Sequence, residues 1–172
     1  MSNFRINNAY DEAIFWMNQS SAFFESSKIL DDTSSEYVSM PIITLRSFSV
    51  ECSLKALLLL TCGTYPAQHD SLNLFKPLPA KIQTDLSINF YNEFELDFRS
   101  ALEATRGDFI GSRYHFEDFR KSYVGRVFST GYLEALSEFL IKYIKNRGDA
   151  ISNTYGHVTK NPSVTFYTQL ES

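Results

Sequence analysis

Apolar positions recur at three- and four-residue spacing along most of this chain, the period of a helix face rather than the alternation of a strand. Over residues 8–30, Tyr10, Ala13, Ile14, Met17, Phe24 and Leu30 fall on one side, with Trp16 and Phe23 widening the stripe. That pattern predicts a first long helix. Ser20, Ser21, Ser26 and Ser27 within it are small enough to let another helix approach closely. The polar stretch from Asp31 to Glu36 reads as a turn, and a second helix is expected over residues 39–61, with Pro41 suited to its first turn. Leu45, Phe48, Cys52, Ala56 and Leu59 form its stripe, while the run Leu57 to Leu60 predicts a C-terminal half buried nearly all round. Gly63 is a good stop.

Beyond the Tyr65-Pro66 break, Asp70 is placed to cap a short helix over residues 71–76, which Pro77-Leu78-Pro79 ends. From Ala80 onward, Ile82, Leu86, Phe90, Phe94, Phe98 and Leu102 continue one long helical pattern, with a bend near Asn89. Residues 106–111 carry two glycines and mark a break, and residues 112–122 fit no single period. A last helix is expected over residues 129–147, striped by Tyr132, Leu136, Phe139 and Tyr143. Its Lys142, Lys145 and Arg147 suit a negative C-terminal end before Gly148. From Ile151 the weak alternation at Val164, Phe166 and Leu170 reads as a loosely attached extension with a candidate edge strand. The expected fold is all-α: an antiparallel four- to five-helix bundle over residues 1–150, followed by an extension over residues 151–172.

Composition narrows what such a bundle does. The chain has 172 residues, 44% of them hydrophobic, with 15 Phe, 10 Tyr and 1 Trp, ample for one core and incompatible with global disorder. Sixteen Lys plus Arg against 20 Asp plus Glu give a net charge of −4, which argues against a dedicated basic nucleic-acid coat but leaves room for local basic patches. Cys52 and Cys62 share one predicted helix at about 15 Å separation, too far for a disulfide, so they are expected to be reduced core residues of a cytoplasmic protein. No signal-peptide succession is present, and no apolar run approaches the ~20 residues of a membrane span. Phosphate-loop, paired-cysteine, His-Glu-x-x-His and Gly-x-Ser-x-Gly signatures are all missing, and His69, His115 and His157 are scattered. No cofactor and no metal site are expected.

Three groups of residues could carry chemistry. Glu51 and Lys55 stand four apart in the favourable order for a helical ion pair, inside an otherwise apolar helix. They read either as a solvated surface pair or as a buried carboxylate that must be held by an arginine from elsewhere, since a buried charge needs a partner. Arg46, five residues before Glu51, points away from that face. The best such arginine is Arg113, in Arg113-Tyr114-His115-Phe116-Glu117. Arg113, His115 and Glu117 together could bind a phosphate and move a proton in RNA cleavage, or form a polar clasp that secures their loop. On a helix, however, Arg113 and His115 diverge by about 200°. The third group is His69-Asp70, which reads more simply as a histidine closing a turn and an aspartate capping a helix than as a catalytic pair.

Taken together, "ECSLKALLLL", a short loop with Tyr65, "HDSLNLF", a further long helix and "SRYHFE" resemble the HEPN superfamily of small helical bundles of bacteria and archaea, over roughly residues 8–147. Glu51, Lys55, His69, Asp70, Leu72 and Phe75 occupy the places of that family's Glu-x-x-x-Lys helix and His-Asp-x-Leu-x-x-Leu-like turn. The resemblance implies a homodimer and a role as an RNA-cleaving toxin, as the partner of a minimal nucleotidyltransferase or in phage defence. Ribonuclease members carry an arginine and a histidine separated by four to six residues. Here Arg106 and His115 have eight between them, Arg147 and His157 nine, and Arg113 and His115 one. The catalytic pair therefore does not carry over. The expected function is that of a HEPN-like dimer in an RNA-related, toxin-antitoxin or defence context, working through a partner protein without the standard ribonuclease motif. The alternatives are a metal-independent ribonuclease using Arg113 with His115 or His69, and a plain helical protein-interaction module.

Overall fold

The computed structural model of the chain describes residues 8–33, 39–106, 108 and 129–155. Among the described residues there are six helices and no strand. Helix α1 spans Ala9–Asp31, α2 Ser39–Cys62, α3 Ser71–Phe75, α4 Ala80–Phe94, α5 Phe98–Ala104 and α6 Thr130–Tyr155. Local chemistry sets several of these ends. The side chain of Asn8 accepts the N–H of Asp11 to start α1, Asp70 accepts from Asn73 to start α3, and Asp97 accepts from Ser100 to start α5. Gly63, at φ 72°, takes the left-handed conformation that ends α2.

The contacts between helices fix their directions. Ser20 of α1 meets Ser49 and Ser53 of α2, whereas Asp31 meets Arg46, so α1 and α2 run antiparallel. Tyr10 meets Asp149 and Arg46 meets Glu134, which sets α6 antiparallel to α1 and parallel to α2. Lys142 pairs with Glu93 and Arg147 with Asp85, so α4 and α6 are antiparallel as well. The result is an up-down-up-down bundle of α1, α2, α4 and α6, with α3 and α5 as short inserts.

Helix α2 occupies the centre. Every residue from Ser49 to Thr61 is buried, as the Leu57 to Leu60 run predicts. The small-residue contact with α1 also forms: the hydroxyl of Ser20 lies 2.8 Å from the carbonyl of Ser49, 3.0 Å from its hydroxyl and 2.8 Å from that of Ser53. Of the four serines singled out in α1, Ser20 and Ser27 are fully buried, while Ser26 faces solvent.

Two boundaries differ from those read off the periodicity. The long pattern from Ala80 to Leu102 is two helices, broken at Glu95 rather than bent at Asn89. Glu95 sits in the left-handed region at φ 56°, and Asp97 then caps a new helix. A single straight helix would hold Phe90 and Phe98 about 80° apart around its axis. The break lets both reach one aromatic cluster, in which Phe90 lies 5.2 Å from Phe98 and 5.2 Å from Phe139, centroid to centroid. Edge-to-face pairs of this kind add about 0.5–1.5 kcal/mol each beyond the area they bury.

Helix α6, the second case, continues through Gly148 to Tyr155, so the bundle does not end at residue 150. Ile151 and Ser152 are buried, and packing of that last turn outweighs the roughly 1 kcal/mol that a mid-helix glycine costs. Lys142 and Arg147 consequently serve not the end of a helix but sideways pairs with α4. The remainder of the extension, with its candidate edge strand, lies outside the described residues. No described helix is long and apolar enough to cross a membrane.

Both cysteines are free thiols, and burial, with the nearby Glu51 carboxylate, pushes the Cys52 thiol up to about 12. Iodoacetamide at pH 8 is expected to label Cys62 in the native protein and to reach Cys52 only after denaturation, which peptide mapping reads directly. Asp85 provides a pH test of the α4–α6 seam. Burial alone would raise its carboxyl, but hydrogen bonds from the Tyr143 hydroxyl and the Arg147 guanidinium outweigh burial and hold it below the usual carboxylate range. A carboxyl lowered in the folded state contributes stability above its unfolded value of about 3.9, and that contribution disappears as pH falls through the folded value. Asp85→Asn should therefore lower the melting temperature at pH 7, with the gap to wild type closing below about pH 4.

Candidate functional site

The chemistry gathers where the C-terminal half of α2 meets α1 and the loop from Gly63 to Asp70. Because α2 is buried on all sides here, Glu51 and Lys55 cannot reach water and are 4% and 6% exposed. The Lys55 ammonium donates to Glu51 Oε1 at 2.7 Å. His69 Nδ1 lies 3.0 Å from each of the two Glu51 oxygens. A carboxylate can only accept, so in the tautomer that satisfies this contact Nδ1 is the donor to Glu51. The surface-pair reading of Glu51 and Lys55 is thus overturned by burial, and His69 does more than close a turn: Glu51 holds it.

Aromatic rings enclose the other side of Lys55. Its Nζ lies 4.8 Å from the Trp16 ring centroid and 5.3 Å from that of Tyr65. The rings themselves meet edge to face at 5.8 Å. Glu12, one turn before Trp16 on α1, orients both, accepting from Trp16 Nε1 at 3.3 Å and from the Tyr65 hydroxyl at 2.8 Å. Burial and then this bond to Glu12 raise the Tyr65 phenol above its ordinary value, so the hydroxyl stays a donor. A desolvated ammonium over two ring faces gains attraction from both quadrupoles, which offsets part of its loss of water.

On the far side of His69 the chain turns into α3, and Asp70 does two jobs. One oxygen caps the helix, at 3.1 Å from the N–H of Asn73, and the other accepts from Arg106 Nε at 2.7 Å. Arg106 follows α5, so this pair ties α3 to the end of α5. Glu12, Trp16, Glu51, Lys55, Tyr65, His69, Asp70 and Arg106 form a polar belt from α1 and α2 through the loop to the residues after α5, its two halves joined by the chain from His69 to Asp70. Of these, sequence reasoning picked out Glu51, Lys55, His69 and Asp70 as polar clasp residues; Glu51 bonds both Lys55 and His69, while Asp70 pairs with Arg106.

Glu12, Trp16, Tyr65 and Arg106 were missed as members. The four-residue spacing of Glu12 and Trp16 was a readable local signal, whereas Arg106, 36 residues from Asp70, had none. Arg113, His115 and Glu117 lie outside the described residues, and with them the expected Arg113 anchor of Glu51. Arg46 is a separate case. Though 4% exposed, it leaves the belt and joins Asp31 at 2.7 Å and Glu134 at 3.4 Å, pinning α1, α2 and α6. Among the described residues no group of three His, Cys, Asp or Glu side chains is close enough to hold a metal ion.

Removing one member of a buried ion pair strands the other. Glu51→Ala and Lys55→Met are each expected to cost about 3–5 kcal/mol in urea denaturation, while the double variant Glu51→Leu with Lys55→Met should recover most of that loss. Single-variant costs under ~1 kcal/mol would contradict a buried pair. Comparison of the chain with protein-family models, with curated proteins and with solved structures gives no match.

Proposed function

We propose that this chain is a HEPN-like helical bundle acting as a homodimer in an RNA-related, toxin-antitoxin or phage-defence context, through a partner protein of the nucleotidyltransferase type rather than by its own catalysis. The observation that carries the non-catalytic part is the charge balance of the belt. Three carboxylates, Glu12, Glu51 and Asp70, stand in the belt against two basic side chains, of which Lys55 donates to Glu51 and Arg106 to Asp70. A phosphodiester needs uncompensated positive charge that strengthens as the transition state forms. Lys55 is enclosed by Glu51, Trp16 and Tyr65, and Arg106 is engaged by Asp70, so the belt supports a clasp that secures the loop before α3. The order of Glu51, Lys55, His69 and Asp70 in the resemblance to HEPN proteins supports the context; it does not extend to their arginine and histidine pair.

One observation favours the metal-independent ribonuclease as a second reading. A carboxylate fixes the ring of His69, which is 55% exposed, and that is how a general base is oriented. Its cation would be Arg113, with His115 as a further titrating group.

The two readings part in a single assay. Purified protein incubated with single-stranded RNA in chelator is expected to leave the RNA intact. Cleavage lost in His69→Ala, with the melting temperature held, would overturn the non-catalytic reading and install the second.

A further inference from the structure

Helix α4 has two faces. Ile82, Leu86 and Phe90 are buried in the bundle, while Lys81, Thr84, Ile88, Tyr91 and Glu95 are all exposed. At about 100° per residue, the four helical positions Lys81, Thr84, Ile88 and Tyr91 fall within an arc of about 80° opposite the core stripe, and Glu95 is the C-cap one turn beyond Tyr91. Ile88 and Tyr91 are 55% and 58% exposed, unusual values for large apolar side chains in the middle of a helix. The spacing is three, four, three, four, the seam that packs one helix along another at a shallow crossing angle.

Charge says what covers this stripe. Lys81 and Glu95 stand seven residues before and seven after Ile88, at opposite ends of the seam. An antiparallel copy of the same helix, related by a two-fold axis near Ile88, places Lys81 of each protomer beside Glu95 of its partner, twice per dimer. The same arrangement suits the helix dipoles. Each Lys81 comes to the negative C-terminal end of the partner helix and each Glu95 to its positive N-terminal end, where Pro79 provides no side-chain cap. A parallel pairing would oppose like charges at both ends.

We propose that the outer face of α4 is a self-complementary docking surface for a second copy of this chain, closed by Ile88 and Tyr91 at the centre and by two Lys81–Glu95 pairs at the ends. This deepens the homodimer part of the function proposed above by naming its surface, and it rests on α4 without using the polar belt. A single 15-residue helix pair buries on the order of 1,000 Å², the low end of specific interfaces, so the dimer is of the weak, concentration-dependent kind.

Sedimentation equilibrium of the full chain across micromolar concentrations tests it. The wild type is expected to show a monomer–dimer equilibrium. Lys81→Glu and Glu95→Lys each place like charges at both ends and should weaken it by about tenfold, whereas the double charge swap should restore it. Ile88→Asp should abolish it, and because Ile88 is exposed the variant should keep the wild-type melting temperature. A wild type that stays monomeric would overturn this surface and the homodimer together. A dimer indifferent to Lys81→Glu and Ile88→Asp, or single-swap losses that the double swap fails to restore, would overturn this surface and leave dimerisation by another face standing. RNA cleavage, measured separately, bears on the polar belt alone.

Discussion

The structure depends on an ion pair with nowhere to go. Helix α2 is so apolar that the bundle closes around it on every side from Ser49 to Thr61, yet Glu51 and Lys55 sit one turn apart within that stretch. Burying them without partners would cost several kcal/mol per charge, so their surroundings have to be built to match. Lys55 takes Glu51 and the faces of Trp16 and Tyr65, and Glu51 takes Lys55 and His69. That requirement recruits α1 through Trp16 and Glu12, and recruits the loop through Tyr65 and His69. A hydrophobic pair in the same place would ask nothing of the loop's conformation. The ion pair gives that conformation a defined geometry, because hydrogen bonds are directional where apolar contacts are not.

The same need for pairing organises the rest of the bundle. Arg46, equally buried, reaches Asp31 at the end of α1 and Glu134 on α6. Asp85 holds Tyr143 and Arg147 across the α4–α6 seam, and burial together with the Asp85 bond raises the Tyr143 phenol well above its ordinary value, so it remains a donor there. Asp70 ties α3 to the end of α5. Polar contacts thus set how neighbouring elements meet, while the aromatic cluster of Phe75, Phe90, Phe98 and Phe139 fills the space between them. Cations such as Lys55, Arg106, Arg46 and Arg147 are thus used to hold the fold together, whereas Ile88 and Tyr91 on the outer face of α4 stay exposed.

Helix existence and type could be read from the sequence because a period of 3.6 is a local property that every turn of an amphipathic helix repeats. The starts of α1 and α3 could be located to within a residue or two, at Asn8 and Asp70, whereas the cap at Asp97 was hidden inside a continuous helical spacing. That Glu51 and Lys55 need partners was legible too, since a charged pair in an apolar helix has to be answered by something nearby. What answers it was not. Nothing local singles out His69 as a partner of Glu51, because that contact depends on where the loop after α2 lies in space. Likewise Arg106 and Asp70 meet only because α5 turns away from α4.

That turn shows where local information ends. Residues 80–102 keep helical spacing across the break at Glu95, and no periodicity argument detects it, because the break serves the convergence of Phe90 and Phe98 on Phe139, a residue of another helix. Gly148 fails in the opposite sense: it has the local signature of a stop, yet burial of Ile151 carries α6 past it to Tyr155. The sequence by itself determined which segments are helical and which charges need partners, since both follow from the properties of single residues and their near neighbours. Only the tertiary structure decided where helices end against their local signals and which partner each charge takes, because those outcomes are set by packing between segments distant along the chain.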